Sequence, residues 1–169
     1  TSFAAQDLGW ILLTLTQRAN GWRTPLLLGS VDIPAAFDNM RHDAMTLALK
    51  KGQMKRDAVT WLIQSLRALH IKPELGELDL EAMQMLNGLP QGNKIPTVFT
   101  LTLGTLLQPL WRRLAEEGIG VVVGEICIPF LVFSDNIYPM AMTEQHYIVI
   151  VQEVREALRA GGGTCRGVV

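Results

Sequence analysis

The spacing of apolar residues along the chain predicts alternating helices and short strands. Apolar residues recur every three or four positions, as on the buried face of a helix, over residues 3–20, Met45–Lys51, Val59–Leu69, Pro96–Glu117 and Glu144–Arg159. Short apolar runs predict strands at Leu26–Val31, Val121–Val123, Ile126–Phe133 and Ile137–Met142. Residues 70–87 are predicted to be extended, with a hairpin around Glu74-Leu75-Gly76.

The order of these elements is helix, strand, helices, hairpin, long helix, hairpin and helix. This order predicts an α+β fold, in which helices pack on one face of an antiparallel sheet. A length of 169 residues allows a single domain over 1–169, and a hydrophobic content of 49% excludes a disordered or collagen-like chain. Gly118 is predicted to end the long helix.

Charge and cysteine content exclude several classes of protein. The chain has 15 Lys and Arg and 16 Asp and Glu, so nucleic-acid contacts would need a local basic patch or metal ions. Cys127 and Cys165 form no CxxC pair, which gives no support to a zinc cage or a disulfide framework and favours a reducing compartment. Without a signal peptide or a membrane-spanning run, we expect an intracellular protein, in the nucleus or the cytoplasm.

Two aspartates each follow an apolar strand. Asp32 follows the first strand and Asp135 follows the strand that ends at Phe133. If these strands are neighbours, two carboxylates meet at the rim of one sheet, where they repel each other unless a cation lies between them. Mg²⁺ prefers such oxygen ligands, and paired Mg²⁺ ions catalyse phosphoryl displacement. The alternative is structural: Asp32 caps the next element, and Ser134-Asp135-Asn136 is an ordinary hairpin turn.

Three segments together resemble reverse transcriptases. Motif A of that family is resembled by Val31-Asp32-Ile33-Pro34-Ala35-Ala36-Phe37-Asp38. The motif B loop is resembled by Gly88-Leu89-Pro90-Gln91-Gly92, and motif C is resembled by Phe133-Ser134-Asp135-Asn136. They occur in the family's order. The resemblance covers about residues 1–165 and is closest to non-LTR retrotransposon or group II intron-like enzymes. It implies a polymerase palm with part of the fingers and no thumb, so that the sequence would be a fragment.

The resemblance implies a role for individual residues. Asp32, Asp135 and Asn136 would be catalytic, with Asp32 and Asp135 holding Mg²⁺, for which Mn²⁺ could substitute. Phe37 would be the aromatic gate that rejects a ribose 2′-hydroxyl, and its alternative is a core phenylalanine. Pro90, Gln91 and Gly92 would line the incoming nucleotide and template, and their alternative is an ordinary strand-to-helix turn. The implied partners are an RNA template, a DNA primer and a dNTP, with no membrane; the oligomeric state is left open.

The sequence departs from the family at two positions of these motifs. Asn136 replaces the second aspartate of motif C and offers one neutral oxygen where a carboxylate offers two charged ones. Ala35 stands where a lysine is usual. Three interpretations therefore stay open: an RNA-directed DNA polymerase, a non-catalytic module of the same descent that binds nucleic acid or protein, and an α+β domain whose motif matches are accidental.

Overall fold

Helices and antiparallel strands make up the fold. The computed structural model describes residues 5–71, 81–90, 96–160 and 166–168. The helices are α1 (Ala5–Trp22), α2 (Ala36–Asn39), α3 (His42–Lys51), α4 (Arg56–Arg67), α5 (Pro96–Glu116) and α6 (Glu144–Ala160). The strands are β1 (Leu27–Leu28), β2 (Ser30–Asp32), β3 (His70–Ile71), β4 (Met83–Gln84), β5 (Val121–Val123), β6 (Ile126–Ile128), β7 (Phe130–Phe133), β8 (Asn136–Ala141) and β9 (Arg166–Val168). The predicted α+β class is confirmed.

The main sheet contains β1, β2, β7, β8 and β9, and all its pairings are antiparallel. β8 lies between β7 on one side and β1 and β2 on the other. β1 and β2 keep one register along β8 and are separated at Gly29, whose N–H donates to the Pro139 carbonyl (3.2 Å). Pro139 has no N–H to return that bond, which explains why the ladder is interrupted there.

Helices cover both faces of this sheet, whereas the sequence pattern places them on one. Leu15 of α1 packs in a cluster with Met140 and Tyr138 of β8. Gly29 lies against α6, because a Cβ atom added to it would clash with the Tyr147 hydroxyl oxygen. Gly29 is opposite Pro139, which lies between Tyr138 and Met140 on β8. Because alternate residues of a strand point to opposite faces, α1 and α6 lie on opposite sides of the sheet.

Glycines and prolines set the bounds of several elements. The long helix α5 ends as predicted, because Gly118 has a left-handed φ of 71° and the Ile119 N–H donates to the Leu114 carbonyl (2.8 Å). The predicted strand Ile126–Phe133 is wrong as a single element, since it divides into β6 and β7 at Pro129. The predicted hairpin over 70–87 appears as β3 paired with β4, and its predicted tip lies outside the described residues.

The described residues divide into two compact units. One contains the described residues of Thr1–Pro34, Leu107–Ala160 and Thr164–Val169, and the other those of Ala35–Leu106. The core of the first includes Phe130, Ile137, Met140, Ile150 and Val154. The core of the second includes Met45, Leu49, Leu89, Phe99 and Leu103. The prediction of a single domain stays a prediction.

No helix in the described ranges is long and apolar enough to cross a bilayer.

Candidate active site

The first unit brings the motif A and motif C aspartates to one rim of the main sheet. Asp32, the last residue of β2, is directly opposite Asn136, the first residue of β8. Directly opposed residues in antiparallel strands have Cα atoms about 4.5–5.5 Å apart and side chains on the same face. Asp135 precedes Asn136 in the chain, so the backbones of all three residues lie at this rim.

Both carboxylates at this rim are open to ligands. Asp32 is exposed and Asp135 is half-buried. Within the described residues, neither side chain accepts a hydrogen bond or forms an ion pair, in contrast to the paired carboxylates of Asp43 and Glu153. No group of three or more His, Cys, Asp or Glu that could hold a metal ion occurs in that part of the chain. A cation here would take two carboxylates from the protein and its other ligands from water or substrate, which is how Mg²⁺ is usually bound.

A tight turn presents Asp135. Phe133 pairs with Asn136, so only Ser134 and Asp135 form the loop between β7 and β8. Ser134 has a φ of 54°, a left-handed conformation that is uncommon for residues other than glycine but required at the first position of such two-residue loops. Strain of this kind is retained mainly where a function depends on it. The turn therefore fixes the direction in which Asp135 leaves the sheet.

In the second unit, the start of the motif B-like loop is bonded to the end of motif A and to the residue that follows α2. The N–H groups of Gly88 and Leu89 donate to the carbonyls of Met40 and Phe37, both at 2.8 Å. Gly88 has a φ of 90°, and a Cβ atom at this position would lie 2.6 Å from the Asp38 carbonyl oxygen. The close approach of these two backbones therefore requires glycine at 88.

Two of the four predicted substrate-binding residues are described, and both lie in the second unit. The Phe37 ring is half-buried and stacks on the buried Phe99 ring, with centroids 4.5 Å apart and an interplanar angle of 30°. Pro90 is half-buried beside Leu89. Gln91 and Gly92 lie outside the described residues. The substrate-binding roles of all four stay predictions.

His42 is a residue whose contact the sequence analysis missed. It is 3% exposed, and its Nε2 atom lies 3.1 Å from the Gly88 carbonyl oxygen. The ring therefore adds a third bond between the motif B-like loop and the segment after motif A. A lone histidine in the sequence gives no signal of such a contact, because its partner is a backbone carbonyl 46 positions away.

Cys127 is not a candidate nucleophile. It is half-buried on β6, and burial raises the pKa of its thiol, which disfavours the reactive thiolate.

Comparison with known proteins identifies the fold. No protein-family model and no curated protein matches the chain. Among the solved structures that match is apo telomerase from Candida tropicalis, truncated from the C-terminal domain, with a TM-score of 0.62 and 14% sequence identity. The match covers 98% of this chain and 34% of that one, so the chain spans about a third of the telomerase chain's length. The chain therefore shares its fold with part of this telomerase.

Proposed function

We propose that this chain is the palm and part of the fingers of an RNA-directed DNA polymerase. The observation that carries the proposal is the rim of the main sheet, where Asp32 lies opposite Asn136 and next to Asp135. In a reverse-transcriptase-like fold, this is the arrangement expected of motifs A and C. The substrates would be an RNA template, a DNA primer with a free 3′-hydroxyl and a dNTP. The narrower assignment to a non-LTR retrotransposon or group II intron-like enzyme stays a prediction.

The two carboxylates suit divalent metal ions. Asp32 and Asp135 would hold Mg²⁺, because both are reached by solvent and neither is neutralised by a described side chain. When bound, the metal ions would polarise the phosphate and stabilise the attacking and leaving oxygens. The task of the protein would then be to keep these two side chains at the rim, and the β2–β8 pairing and the two-residue turn support that role.

Primer extension tests the proposal directly. The protein is incubated with a labelled DNA primer on an RNA template, dNTPs and either Mg²⁺ or Mn²⁺. We expect extension that depends on the metal and is abolished by EDTA. Binding of the primer–template without extension under either metal would contradict polymerase activity.

A second candidate function is a non-catalytic module that binds nucleic acid in the same fold. Asn136 favours it, since the rim has one carboxylate fewer than motif C of the family. The two candidates differ in what restoring that carboxylate should do.

Asn136→Asp is expected to tighten metal binding at the rim. One additional carboxylate within about 4 Å of a bound cation adds roughly 1–4 kcal/mol of attraction, so we expect the Mg²⁺ concentration for half-maximal extension to fall about fivefold or more. Without metal, the Tm should fall because the added charge repels Asp32 and Asp135, and Mg²⁺ should restore it by mass action. A metal titration of extension and of Tm measures both effects.

Asn20→Asp, on the exposed surface of α1, is the matched control and should change neither quantity. If Asn136→Asp creates extension that the natural sequence lacks, the natural chain is the non-catalytic module. A variant with unchanged Mg²⁺ dependence and unchanged Tm would contradict metal binding at this rim.

Phe37→Ala is expected to relax the choice between dNTP and rNTP. If the ring excludes the 2′-hydroxyl, its removal should raise relative rNTP incorporation by about 10- to 100-fold. Losing the stack on Phe99 should also destabilise the fold by about 1–3 kcal/mol. Single-nucleotide incorporation with each substrate measures the first effect and urea unfolding the second.

Two controls separate the gate from the packing. Phe37→Tyr keeps the ring and should preserve discrimination, whereas Phe99→Leu removes the stacking partner but keeps the side chain of Phe37. A folded Phe37→Ala protein with unchanged discrimination would leave Phe37 as a packing residue alone.

A further inference from the structure

A groove between α3 and α4 is lined by basic side chains, although the chain as a whole has a small net negative charge. Its volume is about 360 Å³, and its charged lining residues are Lys50, Arg56 and Arg67. The lining contains no acidic side chain. Residues 41–67 have six Lys and Arg and two Asp, whereas the whole chain has a net charge of −1. This segment therefore carries a net positive charge, and the rest of the chain carries a net negative one.

The groove cations have no carboxylate partners in the described ranges. Lys50, Arg56 and Arg67 are exposed and form no ion pair there. One of the two acids in this segment, Asp43, is already paired: the hydrogen bond from the Arg41 guanidinium holds the pKa of the Asp43 carboxyl below its usual value. Basic side chains that have no acidic partner in the folded protein are available to bind an anionic ligand.

The lining residues form a row along α4. Arg56, Thr60, Ile63 and Arg67 recur at the spacing of one helix face, and Lys50 extends the row from α3. At 1.5 Å per residue, Arg56 and Arg67 are about 16 Å apart along the axis, roughly the rise of five nucleotides in one duplex strand. Thr60 and Gln64 add neutral hydrogen-bonding groups, and the buried Val59 and Ile63 form an apolar floor.

We infer that this groove binds the sugar–phosphate backbone of a nucleic-acid strand. Three cations without acidic neighbours in the lining can contact several phosphates of one strand, and Arg56 and Arg67 can each bind a phosphate through two parallel hydrogen bonds. The groove is too small for a whole duplex, so one strand would contact it. The inference rests on the proposed function only for the choice of nucleic acid over an acidic protein segment.

Binding measurements on a charge-deleted variant test this inference. The variant Lys50→Gln, Arg56→Gln, Arg67→Gln keeps side-chain length while removing three charges. The probe is a fluorescein-labelled DNA primer annealed to an RNA template, and fluorescence anisotropy is recorded over a series of salt concentrations. We expect the Kd to rise about 10- to 100-fold and the slope of log K against log salt to fall by about 2–3, since each lost phosphate contact contributes about 0.7–0.9.

The control Arg18→Gln, Arg112→Gln, Arg159→Gln removes three exposed charges from α1, α5 and α6 and should change the Kd less than threefold. Equal weakening by both triple variants, or an unchanged slope in the groove variant, would overturn the inference. So would a labelled poly-glutamate peptide that binds the groove more tightly than the primer–template does.

Failure of this inference is distinguishable from failure of the proposed function. Asp32→Asn should lose extension and keep the natural Kd for the primer–template, because the groove is intact. If extension is absent but the groove variant still binds more weakly, the groove binds nucleic acid and the proposed polymerase activity is wrong. If extension occurs and the groove variant binds normally, the chain is a polymerase and the groove does not bind its nucleic acid.

Discussion

Asp32→Asn should lower the rate of primer extension by at least about 10³-fold, because a carboxylate ligand lost from a catalytic metal removes several kcal/mol of transition-state stabilisation. The asparagine has the same shape, and Asp32 is exposed at the end of β2. We therefore expect the free energy of unfolding to change by less than about 0.5 kcal/mol. Single-turnover extension and urea unfolding on the same preparations measure the two quantities.

Glu125→Gln is a matched control for this rim. Glu125, like Asp135, is the second residue of a two-residue hairpin loop, since Val123 pairs with Ile126. It is exposed, and it lies in the β5–β6 hairpin and not at the rim. Its substitution should change extension by less than twofold, whereas Asp135→Asn should have an effect comparable with that of Asp32→Asn. Extension by Asp32→Asn within twofold of the natural rate would remove Asp32 from the site.

Gly88→Ala should destabilise the second unit by about 3–5 kcal/mol, which combines left-handed backbone strain with a close backbone contact. The added methyl would lie 2.6 Å from the Asp38 carbonyl oxygen, and this neighbour is backbone that cannot rotate away. The hydrogen bonds from the Gly88 and Leu89 N–H groups to the Met40 and Phe37 carbonyls would have to lengthen. Urea unfolding followed by circular dichroism measures the loss.

Gly104→Ala is the control for this change. Gly104 is exposed on α5, and a methyl added to it meets no atom within 4 Å. Alanine there should stabilise the helix by about 0.5–1 kcal/mol. If both alanine variants had the same stability, the backbone contact at Gly88 would contribute nothing to the fold.

Periodicity and turn chemistry predict much of this fold from sequence. The helices α3 to α6 were predictable because their apolar faces repeat at helical spacing, and Gly118 marked the end of α5. The break at Pro129 was not predicted, because a run of apolar residues indicates burial but does not show where a proline, which lacks an N–H, interrupts the hydrogen bonds between strands. β9 was missed because a three-residue strand has no periodicity to detect.

The candidate site was only partly predictable. The apolar runs before Asp32 and Asp135 indicated that both lie where strands end, but register comes from the pairing itself, so only coordinates show Asp32 opposite Asn136. The contacts of Phe37 with Phe99 and of His42 with Gly88 join residues far apart in the chain. Such pairs leave no local pattern, and a single sequence cannot reveal them.

The pairing of β2 has a consequence for how the protein assembles. Both neighbours of this strand, β8 and β9, are more than a hundred residues later in the chain. Pairing strands so far apart in the chain closes a large loop, and the chain loses that conformational entropy before the contacts between the strands form. Folding is therefore slow. During synthesis, the segment that bears Asp32 leaves the ribosome long before either partner exists, and its apolar residues need protection until then. We therefore expect this sheet to be the late-forming, chaperone-dependent part of the molecule.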